Sequence, residues 1–164
     1  MTAPVRIVPF EPALAPHFAR LNREWIERFF VLEPADLAVL SDPQATIIDP
    51  GGMIYFALLG DDVVGTCAVM PHGPGTLELA KMAVSPSVQG KGVGRLLGEA
   101  CIAFARGTDA HTLMLLSNAG LAPALHLYEK LGFRHAPMPV GTDYARANVH
   151  MVMALTGNLH RPVP

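Results

Sequence analysis

Lys81-Met82-Ala83-Val84-Ser85-Pro86-Ser87-Val88-Gln89-Gly90-Lys91-Gly92-Val93-Gly94-Arg95 carries a strand through a glycine-rich turn and directly into a helix. Glycines at alternate positions let a backbone approach a bulky anion closely, and the amides that open a helix are unsatisfied donors at the positive end of its dipole. The turn therefore has the geometry of a pyrophosphate cradle. Val93, Leu96, Leu97, Ala100, Cys101 and Phe104 recur at the i, i+3, i+4 spacing of one buried face, which predicts the helix. Leu77 to Val84 is apolar on both faces apart from Glu78 and Lys81, and Ser85-Pro86 stops it by removing a ladder donor.

Two common phosphate loops do not fit. A Walker A loop needs Ser or Thr after Gly-Lys and a glycine five residues before it, whereas Gly92 follows Gly90-Lys91. The dinucleotide fingerprint fails on its last interval, and no first βαβ unit begins the chain. The stretch instead resembles the acyl-CoA loop of the GNAT superfamily of N-acetyltransferases, Gln/Arg-Gly-x-Gly-x-Gly/Ala after a strand ending apolar-x-Val. Here that is Met82-Ala83-Val84 and then Gln89 to Gly94. A second block, Ala124-Leu125-His126-Leu127-Tyr128-Glu129-Lys130-Leu131-Gly132-Phe133, resembles the family's A-x-x-L-Y-E-K-L-G-F. The resemblance covers residues 4 to 155, most strongly 77 to 135.

Working outward, Val5 to Val8 reads as a strand. A helical pattern from Glu11 places Leu14, Phe18, Leu21, Trp25 and Phe29 on one face, and Pro34 to Leu40 forms a short second helix. Met53 to Leu59 and Val63 to Met70 form a hairpin through Gly60-Asp61-Asp62, followed by the strand at Leu77. His111 to Leu116 is the next strand, Pro123 to Leu131 a helix stopped by Gly132, and Phe133 to Ala136 and Asn148 to Leu155 close the sheet. The order β-α-α-β-β-β-α-β-α-β-β is α+β. The resemblance implies a GNAT fold, a mixed, mostly antiparallel sheet of about seven strands with helices on both faces. Residues 1 to 164 read as one domain, with a core over 4 to 155 and a frayed tail from Gly157.

Composition narrows the partners. The chain of 164 residues is 51% hydrophobic and 16% charged with a formal charge of -2, and it has no Lys/Arg run, so nucleic acid is not expected. No apolar run reaches the ~18 residues of a membrane span, and the amino terminus carries no secretory pattern, so the expected place is the cytoplasm. Cys67 and Cys101 sit apart in apolar runs and read as buried and reduced, and the seven histidines show no metal-ligand spacing.

The resemblance implies acetyl-CoA as acyl donor, no metal, and transfer to a primary amine of a small molecule, such as an amino acid or related metabolite, by direct attack. The alternatives are a non-catalytic acyl-CoA-binding regulatory module and a protein lysine or N-terminal acetyltransferase. It implies Tyr128 as donor to the departing sulfur, although Tyr128 also shares a helical face with Ala124, Leu127 and Leu131 and reads as core. Glu78 stands where lysine-acetylating members carry their base; it reads equally as a solvated carboxylate or a partner of Lys81. Cofactor contacts are implied at Met82, Ala83 and Val84 and from Gln89, Gly90, Lys91, Gly92, Val93, Gly94 and Arg95. Asn118 substitutes for the Asn that many members carry where this chain has Leu121. Trp25, Phe29 and Phe30, with Thr142, Asp143, Tyr144 and Arg146, lie where acceptor walls form, and the planar fork of Arg146 suits an acceptor carboxylate. Many members pair through carboxy-terminal strands, so Val149 to Leu155 is a candidate homodimer edge, although an internal strand reads the same.

Overall fold

The structure, a computed structural model, describes residues 4–142 and 144–155. Asp143 and the expected tail from Gly157 lie outside the described residues. Strand β1 (Val5–Pro9) leads through a tight turn into α1 (Ala15–Phe29), followed by α2 (Pro34–Ser41). A wide helical turn over Gln44–Ile48, which no sequence signal announced, leads to the meander β2 (Met53–Leu59), β3 (Asp62–Pro71) and β4 (Thr76–Val84). Then come α3 (Val93–Arg106), β5 (Thr112–Ser117), α4 (Ala122–Leu131), β6 (Arg134–Ala136) and β7 (Val149–Ala154). The element order is the expected one.

The seven strands form one sheet in the order β1-β2-β3-β4-β5-β7-β6, antiparallel except for β4 and β5. Each face buries its own core. On one side α3 supplies Val93, Leu97 and Cys101 against Leu113, Leu115 and Met151, and on the other α1 supplies Phe18 and Leu21 against Ile54 and Phe56. The apolar periods of the two helices therefore select opposite faces.

Several expectations change in detail. Leu96 is 40% exposed and Phe29 48% exposed, while Ile26 and Ile102 complete the buried stripes. The β2–β3 hairpin closes through two residues, with Leu59 opposite Asp62. Strand β7 is internal, paired with β5 on one side and β6 on the other, so it is not a free edge for a second copy.

The parallel pairing of β4 with β5 is short. It spans only Thr76–Glu78 against Thr112–Met114, and beyond Glu78 the two strands part. A sheet that splits in this way leaves main-chain donors of β4 without a neighbouring strand, and the gap becomes a cleft.

Candidate active site

At the split, β4 carries a bulge. Its register to β3 runs Thr66 with Ala83 and then Ala68 with Ala80, so Cys67 alone faces both Lys81 and Met82. Lys81 takes φ +56, and no other described non-glycine residue has a positive φ. Such a bulge re-aims side chains and backbone. Upstream of it Leu77 and Leu79 face the α3 core, whereas downstream Met82 and Val84 face that core and Ala83 joins the other.

The bulge also fixes where amides point. Ser85 N–H donates to Val64 O at 2.8 Å, across from its register partner. Alternation along an antiparallel ladder then turns the Val84 amide, opposite Gly65, away from β3 and toward the edge that β5 has left. A cleft open to solvent runs along that edge. Leu79, Ala80 and Met82 of β4, Leu116 and Ser117 of β5, and Leu121 before α4 line it.

Tyr128 is delivered to the cleft by the cap of α4. Gly132 ends the helix at φ +109, Phe133 N–H returns to Tyr128 O at 3.0 Å and Gly132 N–H to Glu129 O at 3.1 Å. This is a Schellman closure, and Phe133 packs edge-on against the Tyr128 ring at 6.2 Å between centroids. The Tyr128 hydroxyl has no hydrogen-bond partner among the described residues, yet every buried side-chain polar atom there has one. It therefore opens on the cleft. Burial, with Cys67 nearby, pushes its phenol well above the 10.0 of a free tyrosine, so it stays protonated.

Beyond the carboxyl end of β4 lies the glycine turn. Gly90 and Gly92 both take φ +78, and a Cβ added at either would meet nothing within 4 Å. Gly92 opens α3 without a side-chain cap, and Leu96 N–H is the amide that returns to Gly92 O, leaving the amides of Val93 to Arg95 free of intrahelical partners. Gly94 also has a packing task that its spacing does not announce. Its added Cβ would stand 3.1 Å from Leu127 Cδ2, so it lets α3 and α4 pack closely, as does Gly98 against Leu131. Gln89, Lys91 and Arg95 are exposed at the mouth, with Arg95 bonded to Glu99 at 2.9 Å.

A family model for the acetyltransferase (GNAT) family matches residues 18–133. The chain belongs to the GNAT acetyltransferase family. It is 34% identical over 102 residues to the N-acetyltransferase YvbK of Bacillus subtilis, a match covering 60% of this chain and 66% of that protein. It is 37% identical over 87 residues to the N-acetylaspartate synthetase of Rattus norvegicus, covering 52% of this chain and 29% of the relative. The matches thus span less than two-thirds of either curated relative. The acetyltransferase yncA of Salmonella typhimurium, solved with its cofactor acetyl-CoA, shares the fold at a TM-score of 0.73 and 22% identity, over 92% of this chain and 94% of that one.

The acceptor half of this GNAT cleft differs most from expectation. Arg146 donates from Nη1 to Asp36 Oδ2 at 2.8 Å and to Glu33 Oε2 at 3.0 Å, and from Nη2 to Asp36 Oδ1 at 2.6 Å. Three of the five donors of its planar fork are thus taken by carboxylates of the chain itself. Lys81 Nζ donates to Asp36 Oδ1 at 2.7 Å and to the Tyr144 hydroxyl at 3.0 Å, so its partner is Asp36 and not Glu78. Asp36 is fully buried. Burial alone would push its carboxyl up, but bonds from Arg146, Lys81 and the Glu33 amide, with the Lys81 charge, hold it at about 2. The same Asp36 bonds lift Arg146 above its ordinary value, against burial, which pulls the other way.

Glu78 lines the cleft at the last ladder pair before the split, with Oε1 at 3.3 Å from His72 Nδ1. Asn118 also lines it, but its amide is committed: Nδ2 donates to Arg146 O at 2.7 Å and Oδ1 accepts from Gly120 N–H at 2.8 Å. Its place is to tie the 144–148 loop to the end of β5. Trp25, Phe30, Tyr144 and Arg146 line the cleft, whereas Phe29 does not.

Sequence reasoning missed Asp36, Lys81 and Asn22. The run Glu33-Pro34-Ala35-Asp36 reads as a helix start, and it does form the reciprocal capping box of α2, so its tertiary use is hidden behind a local one. Lys81 was visible as a charge in an apolar strand. Asn22 sits on α1 with no local mark. Cys67 and Cys101 are buried free thiols, and burial with the bond to Cys67 raises the Cys101 thiol. Among the described residues no helix is long and apolar enough to cross a membrane, and no group of three His, Cys, Asp or Glu side chains could hold a metal.

Proposed function

We propose that the chain is an acetyl-CoA-dependent N-acetyltransferase that moves an acetyl group to a primary amine of a small molecule by direct attack. The observation that carries this reading is the meeting, in one cleft, of the β4 main chain from Ala80 to Met82, the Glu78 carboxylate and Tyr128, whose hydroxyl has no partner among the described residues. The residues fit the cofactor: the open, left-handed Gly90 and Gly92 and the free amides opening α3 suit a pyrophosphate, with Lys91 adding charge. The amides of Met82 and Val84 suit the polar pantetheine arm.

Acetyl-CoA, when bound, supplies an acyl carbon activated by its thioester. Glu78 accepts the proton that an ammonium must lose, through a water, because an alkylamine with pKa near ~10.4 is otherwise charged at neutral pH. A β4 amide donates to the carbonyl oxygen as negative charge develops on it. The nitrogen–carbon bond forms as the carbon–sulfur bond breaks, Tyr128 bonds to the departing sulfur, and the proton that the attacking nitrogen sheds replaces the one Tyr128 yields, so that CoA leaves as its thiol. With its phenol raised by burial, Tyr128 acts more through hydrogen bonding than by complete transfer ahead of bond cleavage. Cys101, buried with its thiol pushed up, is a poor nucleophile, which supports attack without an acetyl-cysteine stage.

The test is thiol release from acetyl-CoA over a panel of primary amines. Tyr128→Phe is expected to lower kcat about 10²-fold with CoA affinity nearly unchanged, and Glu78→Gln to lower kcat and flatten its acid limb. Full activity in both variants overturns the assignment. CoA binding without thiol release from any amine would leave a binding module.

A further inference from the structure

The acceptor end of the cleft can be read by charge. Among its described lining residues the cations are Lys81 and Arg146, and each already faces carboxylate. Asp36 and Glu33 match them one for one. Asp36 is fully buried and accepts bonds from Arg146, Lys81 and the Glu33 amide, so it cannot be displaced without stranding two buried cations. A carboxylate brought in by a ligand would meet Glu78 and find both cations of the lining already paired with Asp36 and Glu33.

What the cleft offers instead are acceptor atoms and ring faces. Asn22 is 1% exposed and lines the cleft; its Nδ2 donates to Phe18 O at 2.9 Å, and no described residue donates to its Oδ1. Among the described residues no buried side-chain oxygen lacks a partner, so that Oδ1 borders the cleft that Asn22 lines. Glu78 adds a carboxylate with 16% of its side chain exposed. Trp25 and Phe30, 6.1 Å apart between ring centroids, form an apolar wall with Ile26. Acceptor oxygens beside aromatic faces suit an ammonium carried on an apolar or aromatic body.

Resting on the acetyltransferase reading above, we propose that the acceptor is an amine with no carboxylate beside its amino group, an arylalkylamine whose ring lies against Trp25, Ile26 and Phe30 and whose amino group faces Asn22 Oδ1 and Glu78. This excludes the free α-amino acids, aspartate included. The earlier expectation that Arg146 holds an acceptor carboxylate is replaced by Arg146 holding Asp36.

The experiment measures thiol release from acetyl-CoA by the full chain with matched pairs, phenethylamine against phenylalanine and tryptamine against tryptophan, and with aspartate. Each amine is expected to exceed its amino acid by tenfold or more in kcat/KM. Trp25→Ala is expected to raise KM for tryptamine several-fold while leaving that for ethylamine within twofold. The proposal is overturned if the amino acid of either pair equals its amine, or if aspartate is turned over best; in both cases acetyl transfer itself stands. Absence of thiol release from these compounds alone overturns the acceptor class, whereas absence over the wider panel of primary amines as well, with CoA binding retained in calorimetry, overturns the acetyltransferase reading. Turnover thus separates the two failures.

Discussion

Replacing Asp36 by Asn tests the ion cluster at the acceptor wall. Asp36 is fully buried and holds Lys81 and Arg146, residues 45 and 110 positions away in the chain. Its carboxyl sits at about 2 against 3.8 for a free group. That depression corresponds to about 2 kcal/mol of stability at neutral pH from ionisation alone. Removing one partner of a buried pair typically costs ~3–5 kcal/mol, so about 3 kcal/mol is expected for Asp36→Asn. In a domain of this size that lowers Tm by about 6–12 °C. Because the folded carboxyl is depressed, this contribution is complete above pH 3.8 and fades as pH falls through about 2. Wild type should therefore lose stability faster than Asp36→Asn on acidification through that window. Thermal melts across pH measure both effects, and adding Lys81→Met to Asp36→Asn should recover part of the loss by removing a stranded charge. A Tm shift below about 2 °C for Asp36→Asn at pH 7, or parallel acid limbs, would refute the reasoning.

Other sites give direct tests. Gly90→Ala or Gly92→Ala forces a side chain into φ +78 in open space, which should cost about 1 kcal/mol and weaken CoA binding several-fold, read by calorimetry. At Gly98 an added Cβ would lie 2.6 Å from Leu131 Cδ1, the end of a partly buried side chain that can turn aside, so Gly98→Ala should leave stability within about 1 kcal/mol in chemical denaturation. Cys67 and Cys101, both fully buried, should react with a thiol reagent only after denaturation, and fast labelling of the native chain would contradict their placement.

What was legible in the sequence was local. Helix periods, the Gly132 cap and the glycine turn act through neighbours within a few residues, and each produced the expected element. The packing role of Gly94 was hidden because helix packing and anion approach both require the absence of Cβ, and spacing cannot separate the two. The β4 bulge was illegible for another reason: Lys81 has no backbone preference for φ +56, and the conformation is set by a partner 45 residues away.

That distant partner links the fold to the chemistry. The bulge turns the Val84 amide away from β3, and the residue at its centre is tied to Asp36 and through it to Arg146 and the 144–148 loop. A strained left-handed lysine costs on the order of 1–3 kcal/mol unless its surroundings hold it, and the buried pair offsets a cost of that size. The charges of the acceptor wall are thereby committed to shaping the donor side. Lys81→Gly separates the two demands, since glycine accepts the backbone without the ion pair. If the pair serves mainly to hold the bulge, Lys81→Gly should keep CoA affinity within about threefold of wild type while Lys81→Met loses about tenfold or more. Equal losses in the two variants would show that the ammonium, and not the backbone it holds, is what the cleft requires.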